Sequence, residues 1–533
     1  MPRLIVCCLC LSLVQPLSAS AQQQPAAEPV DADLLLVGGL IVDGTGKPAR
    51  MGDVAVREGR IVALGKFPTG EVLETIQCDG LIVAPGFIDL HNHSDRSIVD
   101  QSGRGNVNYL TQGCTTIVTG NCGFGPVDVA EYFDKINSAG AGTNVVHLLP
   151  QGSLRDAVLG KSRRGPNPTE LARMRKLADQ AMRDGAYGMS TGLIYVPGTY
   201  AQTDELVEVA RVVARHGGIY ASHIRNEGTE LLDAVREAIS IGQQAGCPVH
   251  ISHFKANGPR SWGAIKAAAA LVIAARNDGA RVTADQYPYT ASSTSLEAML
   301  IPTWAREGGR DAMLRRIDDP KQGARIREYI QEQLEVRGER APIRLARYKP
   351  RPDWVGRTVL EVARAEELDP VDLVIDIQRG GGASAVSFGM NEEDIRYAMG
   401  LEWVATASDG SSAIPAWDRR HPRSYGTFPR KIAHYALAEK VLSLEQAVRS
   451  SSGLPADILG LTDRGYLKVG QAADIAVFDR ETLADRATFD DPYQYSVGMK
   501  YVLVGGHPAV WHGVPTGALA GRALRHESTA DEK

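Results

Sequence analysis

The first part of the chain, residues 33–84, alternates apolar and polar positions in short runs that end at glycines or other turn residues. The segments LLLVGGLIVDGTG and DVAVREGRIVALG show this alternation, and Glu58-Gly59 supplies a hairpin turn in the second. Alternation with a period of two predicts half-buried β-strands. The same pattern returns in residues 456–525, in GYLKVGQAADIAVFD and VLVGGHPAVWHGVPTGALAG. Two all-β segments therefore flank a long middle region.

Residues 85–455 follow a different pattern, in which short apolar runs alternate with amphipathic stretches such as ELARMRKLADQAMRDG. This repeated β-then-α order predicts a parallel sheet. Eight candidate strand ends can be read, and they favour a (β/α)8 TIM-type barrel with its site at the carboxyl ends of the strands. Residues 295–350 are too long for a simple connection and predict a helical insertion or lid after strand seven. The strand ends are FIDLHNH, TTIVTGNC, NVVHLLPQG, YGMSTG, GIYASH, PVHISH, RVTADQYPY and WVATASD.

The N-terminus has the pattern of an export signal. Arg3 precedes the apolar run LIVCCLCLSLV, and Ala19–Ala21 form a small-residue cleavage site. We expect residues 1–21 to be a signal peptide, residues 22–32 a linker and residues 526–533 a tail. An anchor helix is the weaker interpretation, because no second apolar span follows. The mature protein is therefore expected to be exported, periplasmic or secreted, without a membrane span.

The composition of the chain bears on the kind of protein and the kind of partner to expect. The 533 residues are 44% hydrophobic and carry a formal charge of -5. This composition is typical of a globular protein and gives no reason to expect a nucleic-acid or membrane partner. The expected partner is a small molecule, and the oligomeric state stays open.

Four cysteines remain once the signal is removed: Cys78, Cys114, Cys122 and Cys247. Four in a chain of this length do not form a disulfide framework, although a single bridge stays open. Cys122, in TTIVTGNCGFG, could be half of a disulfide, a nucleophile, a metal ligand or a small buried side chain. Since side chains alternate along a strand, Cys122 is expected on the inward face at the mouth of the barrel.

Histidines and an aspartate stand at four of the eight strand ends. His91 and His93 follow strand one with a spacing that points both the same way, although a surface pair is the plain alternative. His223 ends strand five. On strand six the alternation selects His253 over His250, which is expected to be an outward, hydrogen-bonded histidine. Asp409 closes the last strand, where a lone Asp-Gly would otherwise be read as a turn.

Neutral imidazoles and a carboxylate at neighbouring strand ends suit zinc. An open position on the metal would bring the pKa of a bound water towards neutral. Among the interpretations of Cys122, the surrounding histidines favour a zinc thiolate over nucleophilic catalysis, and a disulfide partner would have to enter the same pocket.

These motifs together resemble the amidohydrolase superfamily, and within it the N-acyl-D-amino-acid deacylase (D-aminoacylase) family. The resemblance runs from about Leu34 to Gly521. It is carried by GNCGFG, GMSTGLIYVPGTYA, ASHIRNEG, ISHFKANG, DQYPYTASST, ASDGSS and HPRSYGTFPRKI. It implies a zinc (β/α)8 barrel with a small β-sandwich domain formed by both chain ends, so that residues 33–84 and 456–525 are its two parts and residues 85–455 the barrel.

The resemblance also implies roles for individual residues. The family's tightly held zinc maps onto Cys122, His223 and His253, while His91 and His93 can build a second, weaker site. Asp409 maps onto the catalytic acid and base. The family's positions for binding the substrate carboxylate map onto Lys255, Tyr287 and Arg423. Two departures, Gln151 and Phe254, fall near the expected pocket.

The expected function is zinc-dependent hydrolysis of the amide bond of N-acyl-D-amino acids. One alternative keeps the barrel and the metal but changes the substrate to a cyclic amide, as in dihydroorotase or hydantoinase, or to a dipeptide. The HPRSYGTFPR segment favours a substrate with a free carboxylate. A second alternative is a metal-binding scaffold without activity, which would have no need of Asp409.

Overall fold

The computed structural model describes residues 28–528. The predicted signal peptide, most of the predicted linker before residue 28 and the last five residues of the predicted tail lie outside this range. The described chain has a mixed α/β fold with one large, mainly antiparallel sheet and two all-parallel sheets. None of the helices in residues 28–528 is long and apolar enough to cross a membrane.

The large sheet is built from both ends of the chain. Leu81–Pro85 pairs antiparallel with Ile475–Asp479, and this pairing joins the N-terminal strands to the C-terminal ones. The nine strands form one connected sheet around a hydrophobic cluster of their own; the two-layer sandwich arrangement stays a prediction. The strands are Val30–Ile41, Arg50–Arg57, Arg60–Gly65, Thr69–Gln77, Leu81–Pro85, Ile475–Asp479, Met499–Val504, His507–Trp511 and Val514–Pro515.

Parallel strands make up the middle of the chain, and each predicted strand end lies on or directly after one of them. Their order along the sheets follows their order in sequence. The first sheet contains Phe87–Asp89, Cys114–Thr119 and Asn144–His147. The second contains Leu149–Pro150, Gly188–Gly192, Ile219–His223, Val249–Ile251, Val282–Gln286 and Val404–Thr406.

Hydrogen bonds connect the two parallel sheets at both edges. On one side the amide of Tyr187 donates to the carbonyl of His147 at 2.9 Å. On the other side the amide of Asp409 donates to the carbonyl of His91 at 2.8 Å, and Asn92 bridges in parallel to Gly410. The first and last strands are therefore adjacent, which brings the ends of both to one place.

Amphipathic helices follow most of the parallel strands and bury their apolar faces against them. Pro168–Arg183 illustrates how the sequence defines such a helix: Asn167 and Glu170 form a reciprocal capping box at its start, and Met174, Ala178 and Met182 form its buried face. The helices of this region are Val107–Leu110, Val129–Ala139, Gln151–Leu159, Pro168–Arg183, Thr203–Arg215, Leu231–Ala245, Ile265–Asn277, Glu392–Met399, Arg423–Pro429, Leu444–Ser451 and Gly453–Leu459, with a π-helix at Arg430–Ala438.

The insertion that follows strand Val282–Gln286 extends beyond the predicted bounds of 295–350. It runs from Tyr287 to Asn391 and has its own hydrophobic core. Its middle strand, Ser384–Ser387, pairs antiparallel with both Ser292–Ser295 and Ile343–Arg347. The unit is therefore complete only at residue 387, which a boundary drawn at residue 350 misses. Its helices are Leu296–Leu300, Arg310–Asp318, Pro320–Arg337, Val359–Ala365 and Pro370–Arg379.

Candidate metal centre

Cys122 lies at the centre of a compact group of ligand-type side chains. Its Sγ is 3.2 Å from His91 Nε2, 3.5 Å from His223 Nδ1 and 3.8 Å from His253 Nε2. Cys122, His223 and His253 together offer one ligand atom each within 4.8 Å of one another. All four of these side chains are buried. The structure thus brings together the three residues predicted for the tight zinc site.

Asp409 and His93 complete the group. His93 Nε2 is 3.0 Å from Asp409 Oδ1, and His91 Nε2 is 3.6 Å from the same oxygen. Two further sets of three could hold an ion, one of His91, His93 and Cys122 and the other of His91, His253 and Asp409. The predicted pair of histidines therefore lies beside the cysteine rather than on the surface, and His93 is its more exposed member, with 32% of its side chain accessible.

The backbone at this site is unusual. Cys122, His253 and Asp409 have φ angles of 51°, 38° and 50°, although none of them is glycine. Strand Cys114–Thr119 ends before Cys122, which lies in a short 3-10 turn, and strand Val249–Ile251 ends before His253. The alternation argument used for Cys122 and His253 is therefore wrong, because a residue beyond the strand end no longer follows the strand's period.

Hydrogen bonds to neighbouring strands hold the Cys122 turn in place. The amide of Gly123 donates to Ser190 Oγ at 2.9 Å, Ser190 Oγ donates to the carbonyl of Gly120, and Asp95 Oδ1 accepts from the amide of Gly120 at 2.6 Å. Gly120 has a φ of 78°, and a Cβ there would lie 1.9 Å from the carbonyl oxygen of Leu148. Only glycine fits this approach, so the glycine before Asn-Cys serves the packing of the turn.

The electrostatics favour a thiolate and an ionised carboxylate. Burial acts to raise the pKa of Cys122, but the charges of His91 and His223 hold it well below its ordinary value. Burial also acts to raise the pKa of Asp409, and the charges of Arg423 and His91 hold that pKa well below its ordinary value. Both shifts favour the anionic form, which is the form in which these groups bind metals and accept protons.

The donor set fits zinc. Zinc–sulfur and zinc–nitrogen bond lengths in a tetrahedral site place sulfur and nitrogen ligands roughly 3.6 Å apart. The distances from Cys122 Sγ to the three imidazole nitrogens, 3.2 to 3.8 Å, bracket this value. The nitrogens that face Cys122 Sγ are Nε2 of His91 and Nδ1 of His223, and the second nitrogen of His91 lies 3.5 Å from Asp285 Oδ2.

Sequence reasoning missed two acidic residues that hold the histidines. Glu227 Oε1 is 2.7 Å from His253 Nδ1 and 2.5 Å from Lys255 Nζ. Asp285 accepts from the backbone amide of His253 at 2.6 Å and lies 2.9 Å from His250 Nε2. Carboxylates commonly orient metal-binding histidines through the second ring nitrogen. Their positions in the sequence could have indicated these two residues, because Glu227 stands four residues after His223 and Asp285 is the first residue of the DQYPY segment.

His250 is hydrogen-bonded, as expected for the outward member of its pair. Its Nδ1 is 2.9 Å from Thr283 Oγ1, and its Nε2 contacts Asp285. His250 is not part of the cluster around Cys122. It is linked to His253 through Asp285, which contacts both the His250 ring and the His253 backbone amide.

The three residues predicted to bind the substrate carboxylate already contact protein groups. Lys255 pairs with Glu227, and Arg423 Nη1 is 2.8 Å from Asp409 Oδ2. The Tyr287 hydroxyl faces the sulfur of Met390 at 3.8 Å, and its ring lies 4.8 Å below the Arg423 guanidinium. Of these three, Arg423 is the one that directly contacts the predicted catalytic residue.

A cavity of about 340 Å³ opens next to the cluster. His223, His253 and Asp409 contribute to its wall near the cluster, and the half-buried ring of Tyr195 lies 5.0 Å from the His223 ring. The insertion also contributes to the wall, through helix Pro320–Arg337 and the segment around Met299. The predicted role of the insertion as a cover for the site agrees with this position.

The two departures noted in the sequence lie away from this cavity. Gln151 is fully buried and donates to Glu205 Oε1 at 3.0 Å. Phe254 is buried and packs edge-on against Trp403, with ring centroids 5.5 Å apart. Neither residue lines the cavity. The four cysteines Cys78, Cys114, Cys122 and Cys247 are all free and buried in the structure.

Comparison with known proteins finds relatives that match most of the length of this chain. The family model described as "Amidohydrolase family" matches residues 74–510. A D-aminoacylase from Alcaligenes xylosoxydans xylosoxydans is 35% identical over 517 residues, which cover 92% of this chain and 97% of that protein.

Two solved structures extend the comparison. An N-acyl-D-glutamate deacylase from Bordetella bronchiseptica, in complex with zinc and a phosphonate inhibitor, has a TM-score of 0.78 and 32% identity, covering 93% of this chain and all of that one. An L-hydantoinase from Arthrobacter aurescens has a TM-score of 0.58 at 16% identity, with the same coverage, and so shares the fold alone. The matched span and the identity to these deacylases show that the chain belongs to the amidohydrolase family.

Proposed function

We propose that this chain is a zinc-dependent hydrolase that cleaves the amide bond of N-acyl-D-amino acids and releases a carboxylate and a free D-amino acid. The observation that carries the proposal is the position of Cys122 among His91, His223 and His253 with Asp409 alongside. The similarity over nearly the full length to a D-aminoacylase supports the same reaction. The cyclic-amide alternative is less well supported, since the hydantoinase likeness is one of fold only.

The proposed ligands of the tight zinc are Cys122, His223 and His253, and those of a second, weaker site are His91 and His93. Zinc bound there would act as a Lewis acid on the amide carbonyl and would lower the pKa of water. The residues of the chain supply what remains: a base, an acid for the leaving amine, and cations for the substrate carboxylate.

Asp409 is the proposed proton carrier. Its ionised carboxylate accepts a proton from the attacking water as the carbon–oxygen bond forms. It then donates this proton to the amide nitrogen as the carbon–nitrogen bond breaks, so that the amine leaves neutral. Arg423 and His93 hold the two carboxylate oxygens at 2.8 and 3.0 Å, which fixes the carboxylate in one orientation.

Arg423 is also the proposed partner of the substrate α-carboxylate. One of its nitrogens contacts Asp409, and Nη2 makes a long bond of 3.3 Å to the carbonyl of Ser293. A guanidinium has five N–H donors, so it can bind a second carboxylate without releasing the first. Lys255 and Tyr287 are proposed to support this role, Lys255 through the positive charge it adds near the site.

Two broader features belong to the proposal. The strands of the two parallel sheets, which are linked at both edges, are proposed to form a complete (β/α)8 barrel in which Asn144–His147 and Leu149–Pro150 count as one strand. The terminal strands are proposed to form a β-sandwich. The N-terminal signal pattern is the basis for proposing export to the periplasm or the medium, with residues 1–21 removed.

Substrate assays of the purified mature chain test the function. Zinc content is measured first, and hydrolysis of N-acetyl-D-amino acids, N-acetyl-L-amino acids, dihydroorotate and hydantoin is then compared at equal concentrations. The proposal expects bound zinc and turnover of the D-series. Turnover of the cyclic amides alone would overturn it.

A further inference from the structure

The wall of the cavity contains a cation without a counter-ion in the described chain. Arg337 ends helix Pro320–Arg337 and lines the same cavity as His223, His253 and Asp409. Its Nη1 donates to the carbonyl and to Oε1 of Gln333, both at 2.9 Å. No carboxylate within residues 28–528 pairs with it, and its Nε and Nη2 groups have no acceptor there.

This arrangement contrasts with that of two other cations along the cavity. Arg225 makes a two-pronged pair with Glu237 at 2.8 Å, and Lys255 pairs with Glu227. Arg337 is half-buried like Arg225, and burial lowers its pKa, so its charge is incompletely solvated. Within residues 28–528, however, Arg337 has no carboxylate partner of this kind.

The surroundings of Arg337 fit the end of a substrate. Tyr329 and Val336 of the same helix and Met299, also of the insertion, line the same cavity and add apolar surface to its wall. Exposed Arg260 adds a second positive charge on the cavity wall, while Glu332, also exposed, forms no ion pair with either arginine. A planar fork of N–H donors is suited to a carboxylate.

From these contacts we infer that the enzyme prefers substrates with a second carboxylate, which Arg337 binds in the cavity. The inference rests on the proposed function. The second carboxylate could belong to an acidic D-side chain, as in D-glutamate, or to a dicarboxylic acyl group, as in N-succinyl substrates. The first carboxylate, on the α-carbon, stays with Arg423.

The test compares three substrates: N-acetyl-D-glutamate, N-succinyl-D-leucine and N-acetyl-D-leucine. Wild-type kcat/KM should be highest for one of the two diacids, and which one it is identifies the source of the second carboxylate. Arg337→Gln should lower kcat/KM for that diacid about 10- to 100-fold, the effect of losing a charge-assisted hydrogen bond. The same variant should leave N-acetyl-D-leucine within about two-fold of wild type.

Arg325→Gln is the matched control. Arg325 is an exposed arginine on the same helix, stacked over Trp304 at 4.7 Å, and it does not line the cavity. This variant should change none of the three values, and thermal unfolding of both variants checks that each is folded. Arg337→Lys, which keeps the charge but loses the fork, should lie between wild type and Arg337→Gln.

The outcomes separate the two proposals. An equal loss for all three substrates in Arg337→Gln would mean that Arg337 binds the α-carboxylate, which overturns the inference and leaves the deacylase function intact. A preference for N-acetyl-D-leucine in wild type would overturn the inference as well. Absence of turnover of every N-acyl-D-amino acid by a zinc-loaded enzyme would instead overturn the proposed function.

Discussion

Glu227 holds the ring of His253 and balances the charge of Lys255. Removing its negative charge should allow the effects on metal binding and on stability to be measured separately. Its Oε1 lies 2.7 Å from His253 Nδ1 and 2.5 Å from Lys255 Nζ, and only 11% of the side chain is exposed. Glu227→Gln keeps a carbonyl oxygen near both groups but removes the negative charge. The Lys255 ammonium, itself buried, is then left without a counter-ion.

Two magnitudes follow from these contacts. Breaking a buried ion pair by removing one partner costs about 3–5 kcal/mol, so the free energy of unfolding should fall by that order in Glu227→Gln. Loss of a carboxylate that orients a metal-binding histidine typically weakens metal affinity by about 10–100-fold. The double variant Glu227→Gln with Lys255→Met removes the unpaired charge as well. It should recover most of the stability, while zinc affinity stays low.

Urea unfolding of the zinc-free proteins and zinc titration against a chromophoric chelator measure the two quantities independently. Arg225→Gln is a useful control for stability, because Arg225 makes a half-buried pair with Glu237 that does not involve the metal cluster. It should lower stability but leave zinc affinity near wild type. Unchanged zinc affinity in Glu227→Gln would refute the orienting role, and a double variant no more stable than the single one would refute the counter-ion role.

Three further variants test the site and its surroundings. Cys122→Ala should lose most of the bound zinc and the activity, whereas Cys247→Ala, at a buried cysteine outside the cluster, should keep both; full zinc retention in the first would remove Cys122 from the ligand set. Asp409→Asn should retain zinc and lose about 10²–10⁴-fold in kcat as a general base is removed, so a near-normal rate would exclude it as the proton carrier. Lys431→Met should stabilise the protein at neutral pH, because burial lowers the pKa of Lys431 from 10.5 to about 7. The folded state binds that proton less tightly than the unfolded chain. The gain in the free energy of unfolding, on the order of a few kcal/mol, should therefore be full below pH 7 and vanish as the pH rises through about 10. A gain that does not depend on pH in urea unfolding would contradict this reasoning.

The elements of the fold were largely readable from the sequence, since each depends on a local pattern. The eight apolar runs with polar or glycine ends all correspond to parallel strands, and the alternating segments at both ends correspond to strands of one shared sheet. The bounds of the insertion were not readable. The helix Pro370–Arg379 has the same amphipathic pattern as the helices that follow parallel strands. Only the pairing of Ser384–Ser387 with strands on either side shows that it belongs to the insertion.

Residues that support the site could not be identified by the same means. Glu227 and Asp285 act through contacts across strands, 26 and 32 residues away from His253 along the chain. A carboxylate in a loop or near the end of a strand is common in protein sequences, and nothing local distinguishes one that holds a histidine from one that faces solvent. Lys255 illustrates the same limit, because the sequence named it as a candidate substrate-binding residue but gave no indication that Glu227 is its partner.

Cys122 was expected at the mouth of the barrel because side chains alternate along a strand, yet this residue lies beyond the end of its strand. The alternation of strand side chains stops at Thr119, and the thiol enters the cluster because residue 122 has a left-handed backbone. Such a backbone costs about 1–3 kcal/mol for a residue other than glycine and persists only where the surroundings fix it. The bonds of Ser190 to Gly120 and Gly123 supply this constraint on both sides of the cysteine. The position of the thiol therefore depends on a serine from another strand, and a chain with the same GNCGFG segment but without that hydroxyl would not be expected to hold the thiolate as firmly among the histidines.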